Sequence, residues 1–556
     1  MEHFDHILVG GGSSGCVAAA RLVAAGARVL LLEGGHSHRH PLLDMPPGIF
    51  KMINGSKFMR YHHTVPQAHL DGRVHDIPQA NVLGGGSSVN AQVYMRGRPS
   101  DYAAWHEALR GDNGYPGWGW ADVLPHFRGM EDNGRLHDDR HGAGGPLLVS
   151  DPGYVDEVSR WFIEAVQALG EPPNHDFNGA SQRGVGLYQF MNRRGKRSSA
   201  AYAFIVPLRG NPNLVLRLYA RVRRVVIEHG RAVGVIYRDI HGAEHQARTD
   251  GEVILAAGSL VTPQILMLSG IGPAGQLRDH GIIPVADLPG VGENLVDHPE
   301  VPIIATANGR YGYYKQGVGW RMVRNGLRFK LFGTGPILSA GVEAGAFVNP
   351  EDPAAEPTIQ AFCVPIVYLD RDTLTLVQDG YGLTVTTVVV KPRSRGFVRL
   401  RSADPDDMPL VSPNLLHDPA DMRTMIAGQR FFLRAFETSP LKDRIKAVVI
   451  PPADPGDEAI LRHCRRFVKT NYHPAGTCRM GPSGDRMAVL DSRLRVRGVE
   501  NLRVCDLSAM PDITAGNTNA PAMMLGSRCA EFVSGVLGAH QREAERFASQ
   551  RSRQAG

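Results

Sequence analysis

Six residues near the N-terminus, Gly10-Gly11-Gly12-Ser13-Ser14-Gly15, follow a short apolar run and precede a stretch of small residues. Their spacing is G-x-G-x-x-G between an expected strand and an expected helix. Glycines in that setting allow a tight turn and let a pyrophosphate approach backbone N–H groups, while the helix N-terminus stabilises its charge. Gly10, Gly12, Ser13, Ser14 and Gly15 are therefore candidate cofactor contacts. Glu33 stands eighteen residues beyond Gly15, at the end of the next apolar run. A carboxylate there accepts hydrogen bonds from an adenosine ribose and disfavours a 2′-phosphate, which argues against NADP. The fingerprint itself does not choose between NAD and FAD. A second cluster, Asn81 to Asn90 (NVLGGGSSVN), offers bare backbone and hydroxyls suited to a flat ring and its phosphates.

Histidine is the side chain whose ordinary pKa, about 6.5, best suits proton abstraction near neutrality. The chain has 23 histidines, so residue type alone selects none. His36, His38 and His40 alternate as metal ligands can, but no cysteine or acid pattern accompanies them, and metal binding is not expected. Tyr311, Tyr313, Tyr314 and Trp320 form an aromatic group that either lines a substrate entrance or packs a lid.

Elements must hold these residues. His6 to Val9 reads as a buried strand, Ser13 to Ala25 as a small-residue helix and Ala27 to Glu33 as a second strand, which together make one βαβ unit. Residues 34 to 80 are loop-rich and read as an excursion over a site. Strand-like runs follow at Leu214 to Leu218, Arg221 to Ile227 and Val253 to Ala256. From 300 to 460 β-rich runs such as Leu383 to Val390 predict an antiparallel sheet with helices. Leu502 to Cys505 reads as a strand and Ala522 to Leu537 as an apolar helix, both returning to the first unit; the tail beyond His540 is polar.

The cluster ending at Asn90 resembles the first signature of the glucose-methanol-choline (GMC) oxidoreductases. Gly258-Ser259-Leu260-Val261-Thr262-Pro263 through Ser269-Gly270-Ile271-Gly272 resembles the second. The likeness continues through Gly290 to Leu295 with Asp297-His298, and through Tyr472-His473-Pro474 to Met480-Gly481, so it covers nearly the whole chain. It implies an α/β protein, α+β overall: a glutathione-reductase-type Rossmann domain that binds FAD, interrupted by a substrate domain with an antiparallel sheet. The implied bounds are 1–300 for the FAD-binding region with its excursion at 34–100, 301–460 for the substrate domain, 461–540 for the return segment and 541–556 for a polar tail.

By the same resemblance Ser88, Asn90 and Ala91 lie against the flavin ring with Gly84 and Gly85 beside them, Val222 near the adenine and Asp506 on the ribityl side, with Gly258 and Thr518 also at the cofactor. Some relatives tether FAD through a histidine just after the paired serines. Here that position is Val89, so non-covalent FAD is expected. His473 matches the family's general base, and Asn517, in Ala515 to Pro521, matches its second polar catalytic residue. The implied reaction is oxidation of a primary alcohol, polyol or sugar by hydride transfer to flavin N5, with His473 taking the hydroxyl proton and Asn517 holding the oxygen. Asn517 to Pro521 precede the apolar helix, whose N-terminus is then expected to stabilise negative charge on the cofactor.

The electron acceptor is oxygen, a quinone or a dye, and the polar Asn471, where related oxidases often carry a small apolar residue, favours a dehydrogenase. The alternative on this scaffold is a non-redox lyase of the hydroxynitrile type. Glu343 is expected near the pocket by likeness or else as a surface acid; with the Tyr311 to Trp320 group it could cage a choline-type ammonium.

Composition bounds these readings. With 43% hydrophobic and 21% charged residues the chain can bury large cores, and its formal charge of +6 is scattered rather than blocked, so no nucleic-acid partner is expected. The six cysteines show no C-x-x-C pair, which disfavours a disulfide framework or zinc knuckle. A reducing, cytoplasmic setting is expected from those cysteines, and because no apolar run reaches the roughly 18 residues of a membrane span, any membrane contact is expected to be peripheral, at the inner face. A strand pattern already begins by His6, so export is not expected.

Overall fold

The computed structural model describes residues 3–53, 55–368, 380–451 and 456–535. The N-terminal apolar runs become parallel strands covered on both faces: every residue of Val29–Leu32 is buried, as are Ile7, Leu8 and Val9. Strands His3–Val9 and Val29–Leu32 pair in parallel around helix Ser13–Ala24, which completes the expected βαβ unit. The sheet runs Leu214–Arg217, Val29–Leu32, His3–Val9, Glu244–Leu255, and then the antiparallel pair Arg231–Arg238 and Arg221–Glu228. Beyond the hairpin contact, the upper half of Glu244–Leu255 is taken in parallel by Leu502–Val504, so the C-terminal part of the chain returns to this sheet. The strand read at Val253 to Ala256 starts at Glu244, because its first residues are exposed and polar and carry no apolar signal.

The C-terminal helix, Asn519–Ser534, lies against Ser13–Ala24 so closely that a Cβ on Gly526 would stand 2.2 Å from the Ser14 carbonyl oxygen. It begins at Asn519, earlier than the expected Ala522. Pro521 sits in its first turn, where a missing N–H removes no intrahelical bond. The end of the expected helix, Val536 and Leu537, and the polar tail lie outside the described residues. The excursion read as loop contains an antiparallel ribbon, Met59–His63 with Asp76–Ala80. Its strands are short and polar, so periodicity did not mark them.

A second, antiparallel sheet runs Ile445–Ile450, Pro299–Ala307, Gly382–Val389, Ile359–Val364, Ala344–Val348, Gly184–Leu187, with Lys469–Thr470 beside Pro299–Ala307. It does not keep to residues 301–460: Gly184–Leu187 comes from before those bounds and Lys469–Thr470 from after them. Alternation along Ile359–Val364 separates its faces. Ile359, Ala361 and Cys363 join the core under helices Glu157–Ala168 and Pro419–Phe436. Gln360, Phe362 and Val364 point the other way, Phe362 and Val364 into the cleft and Gln360 onto Asn517.

Candidate active site

One continuous cleft of about 430 Å³ lies between the two sheets. Its far end is walled by Gly10, Gly12, Ser13, Ser14 and Glu33, with Val222 and Gly258 alongside. Gly15 does not face it. A Cβ there would come within 2.0 Å of the Gly10 carbonyl oxygen, so this glycine lets the helix close onto the strand. The second cluster crosses the first at Gly85, whose φ of 53° and missing Cβ bring it against the Gly12 Cα, 2.7 Å from where a Cβ would stand. Gly84 N–H donates to the Gly11 carbonyl at 2.7 Å.

Ser88 is turned inward, its hydroxyl donating to the Leu83 carbonyl at 2.8 Å. Neither Gly84 nor Ser88 reaches the cleft, whereas Gly85, Asn90 and Ala91 do. The inward turn of Ser88 corrects its expected contact with the ring: its hydroxyl is the internal brace of the loop.

Both oxygens of Glu33 accept backbone N–H groups, from Gly11 at 2.9 Å and Gly35 at 2.6 Å, and each keeps lone-pair capacity for a ligand. Burial raises its carboxyl above the ordinary range against those two bonds. Asp506 also lines the cleft, but its carboxylate is occupied by Gly258 N–H, Thr262 and Ser508, and so ties the Gly258 turn to the C-terminal return. Arg197 carried no sequence signal. Its buried guanidinium braces the second cluster from behind, donating to the Asn90 carbonyl at 2.7 Å, the Asn90 Oδ1 at 2.8 Å and the Leu43 carbonyl at 2.8 Å. Burial lowers its pKa to about 9.

At the near end stand His473, Asn517 and Thr518. Thr518 occupies the N-cap position of the C-terminal helix without a side-chain cap bond, and Asn519 Oδ1 accepts from the Ser13 hydroxyl at 2.7 Å. The starts of the first and last helices thus meet at the cleft. His473 follows Tyr472, whose φ of 64° turns the chain sharply. Its backbone N–H is held by Asp297 at 3.0 Å, and Thr470 donates to the other Asp297 oxygen. Burial pushes the Asp297 carboxyl up to about 7.

The ring of His473 is oriented by a second histidine. His298 Nε2 lies 3.0 Å from the Val390 carbonyl, which can only accept, so that nitrogen carries the hydrogen. Burial, with Lys391 nearby, holds His298 neutral, its pKa lowered to about 3. Its Nδ1 is therefore an acceptor, and the His473 Nδ1, 3.0 Å away, donates to it. His473 Nε2 is left unprotonated, 3.4 Å from Asn517 Nδ2. Asn517 Oδ1 accepts from Gln360 Nε2 at 3.1 Å, which fixes which way the amide faces. Burial and the second ring hold the His473 pKa well below 6.5. The arrangement presents an unprotonated nitrogen facing an amide donor, as abstraction of a hydroxyl proton requires. His298 appeared in the sequence only as part of a motif, and Gln360 not at all.

The remaining wall near this end is largely apolar: Phe50, Ile53, Val342, Phe362 and Val364. Its acid, Glu300, is matched by Lys469 at 3.4 Å, which also lies over the Tyr368 and Tyr472 rings. Glu343 is not in the wall. It is fully buried, accepting from Tyr313 at 2.5 Å, Ser159 at 3.0 Å and Ser339. Tyr311 packs on Trp161, and Trp320 is 73% exposed, so these residues form no cage around an ammonium. His36 packs against Phe58 and Tyr219, and His40 caps the Leu42 N–H. Among the described residues no three His, Cys, Asp or Glu side chains converge as a metal site.

The chain is similar to known proteins over nearly its whole length. Two sequence profiles, each described as GMC oxidoreductase, match residues 4–300 and 392–526. The chain is 40% identical over 539 residues to the alcohol dehydrogenase [acceptor] of Pseudomonas putida, covering 95% of each chain. It is 36% identical over 550 residues to the mitochondrial choline dehydrogenase of Homo sapiens, covering 96% of this chain and 90% of that one. Among solved structures, pyridoxine 4-oxidase from Mesorbium loti superposes with a TM-score of 0.86 at 29% identity, over 96% of this chain and 99% of the other.

Proposed function

Since this chain belongs to the GMC oxidoreductase family, we propose that it oxidises a primary alcohol with an apolar tail, His473 serving as the base. It is an FAD-dependent oxidoreductase acting on CH–OH donors. The residues present fit that cofactor. Gly86 borders the cleft with open space where a side chain would stand, the Ser259 hydroxyl is buried without a protein partner, and aliphatic Val89 offers no atom for a covalent tether. Glu33 would hold the adenosine ribose, the start of helix Ser13–Ala24 the pyrophosphate, and Gly85, Asn90 and Ala91 the ring. When bound, FAD supplies the hydride acceptor.

The observation that carries the reading is the unprotonated Nε2 of His473 facing the Asn517 amide in the same cleft as the dinucleotide loop. The alcohol oxygen binds between the two side chains, Asn517 Nδ2 donating to it while His473 Nε2 takes its proton. Phe362, Val364 and Val342 exclude water around the carbinol and favour an aliphatic or aryl tail over a sugar. Electrons leave to an acceptor other than oxygen, a reading supported by polar Asn471, which lines the cleft two residues before the base, and by the similar alcohol dehydrogenase [acceptor] of Pseudomonas putida. On this reading an FAD-binding unit and a substrate unit meet at the cleft.

The test is anaerobic mixing of the yellow protein with aliphatic primary alcohols, glucose and choline. Aliphatic alcohols should bleach it fastest, and a soluble quinone should restore the colour sooner than air does. Faster bleaching by glucose or choline would overturn the substrate class. Cyanohydrin cleavage with no bleaching by any alcohol would replace the redox reading with a lyase.

A further inference from the structure

Exposed large apolar side chains are concentrated in one place. Val318, Trp320, Met322, Val323, Leu327, Leu331 and Phe332 all lie in or beside helix Gly319–Phe332, and Trp320, Leu331 and Phe332 are 73%, 68% and 73% exposed. The helix is fastened to the body by its other side. Asn325, its one buried residue, donates to the Gln316 carbonyl at 3.0 Å; Phe329 packs at Gly195, and Arg321 donates to the Tyr381 hydroxyl at 2.8 Å. Arg321, Asn325 and Phe329 are spaced i, i+4, i+8 and share that face. Trp320, Val323, Leu327 and Leu331, spaced i, i+3, i+7, i+11, form a stripe on the opposite one.

Charge identifies the occupant. Between Glu300 and Glu343 the sequence has six cations and no acid, and Arg324 and Lys330 fall on the two borders of the stripe. A water-facing helix would carry charged and polar residues opposite its packed side. An apolar ridge rimmed by cations fits the interface of a bilayer that contains anionic lipid. No helix among the described residues is long and apolar enough to cross a membrane, so this one would lie in the surface. The segment continues through Pro336–Leu338 to Ala340 and Val342 in the cleft wall, with Gly341 against the ring of Phe50, another wall residue.

We propose that helix Gly319–Phe332 docks the protein onto an anionic bilayer surface, with Trp320, Val323, Leu327 and Leu331 entering the lipid and Arg324, Arg328 and Lys330 on the headgroups. Docking in this way sets the apolar end of the cleft next to lipid. The proposal is about binding and stands apart from the reaction.

The test is sedimentation of the holoprotein with vesicles of phosphatidylcholine alone or mixed with phosphatidylglycerol. Wild-type protein should pellet with the mixed vesicles, less so at high salt. Two triple variants, Trp320→Ser/Leu327→Ser/Leu331→Ser and Arg324→Gln/Arg328→Gln/Lys330→Gln, should each bind roughly tenfold more weakly or worse while keeping flavin content and turnover in solution. Equal pelleting of wild type and both flavin-loaded variants, or no pelleting of wild type, would overturn it. So would sedimentation velocity showing a wild-type dimer that the serine variant abolishes, because a second copy would then cover the stripe.

Discussion

An imidazole that donates from Nδ1 has one nitrogen left, and in this protein the donation is made to another imidazole. Because His298 is itself fixed by the Val390 carbonyl, the His473 tautomer is set two rings deep. His298 is thus a positioning residue. Replacing it with Ala should lower kcat by about ten- to hundredfold, since nine in ten or more of the His473 rings would hold the wrong nitrogen toward the cleft or turn away. The pH profile separates this from a merely structural loss. Burial keeps the His473 pKa well below 6.5, and the base works unprotonated, so kcat/KM in wild type should fall only at pH values below 6.5 and stay level above them. His298 sets both the tautomer and the surroundings of the His473 ring, so in His298→Ala the acid limb should shift from its wild-type position. An unmoved limb would contradict the role assigned to His298.

The motifs made His473 and Asn517 legible as a pair. Their partners were not, because the Gln360 and Val390 contacts depend on how two sheets face each other, which no local spacing records.

At the scale of elements, the cleft exists because bare backbone lets loops touch. A methyl on Gly85 would collide with Gly12, so Gly85→Ala must push the two glycine loops apart. The variant should lose about 1–3 kcal/mol of stability and release its flavin in a spin filter that retains wild-type holoprotein. Full flavin retention would show that the loops tolerate separation. The sequence displayed both loops and the βαβ unit plainly, since buried parallel strands are continuous apolar runs. It concealed the Met59–His63 ribbon and the start of Glu244–Leu255, whose exposed residues carry no alternation, and it concealed Gly184–Leu187, which enters the second sheet from a distance. It also misled about Ser88: a hydroxyl in a glycine loop reads as a ligand, whereas here the loop needs it for its own carbonyl.

Across the whole molecule, buried ionisable groups away from the cleft tie stability to pH. Glu343 is fully buried beneath the second sheet, and its pKa is raised to about 7 from a usual 4.5. Between those values the folded protein keeps a proton that the unfolded chain releases. The stability this proton gives is present in full below pH 4.5 and is lost as pH rises through 7. Glu343→Gln removes the effect, so its melting temperature relative to wild type should improve steadily from pH 5 to 8, with a ceiling of about 3 kcal/mol in linked free energy. A constant difference would mean that the Tyr313, Ser159 and Ser339 hydroxyls keep the carboxylate ionised throughout.

The cleft itself joins the ends of the chain, since residues 10 to 33 and 473 to 519 reach it from sequence positions far apart. The account therefore rests on a proton leaving an alcohol for His473 Nε2 at the place where the dinucleotide loop delivers the hydride acceptor. The most direct measurement is the anaerobic rate of flavin bleaching by a saturating aliphatic primary alcohol at pH 7, in wild type and in fully flavin-loaded His473→Gln. The predicted result is a loss of about 10²- to 10⁴-fold in the variant. Bleaching of the variant at the wild-type rate would contradict it, and the base would have to be sought elsewhere in the cleft.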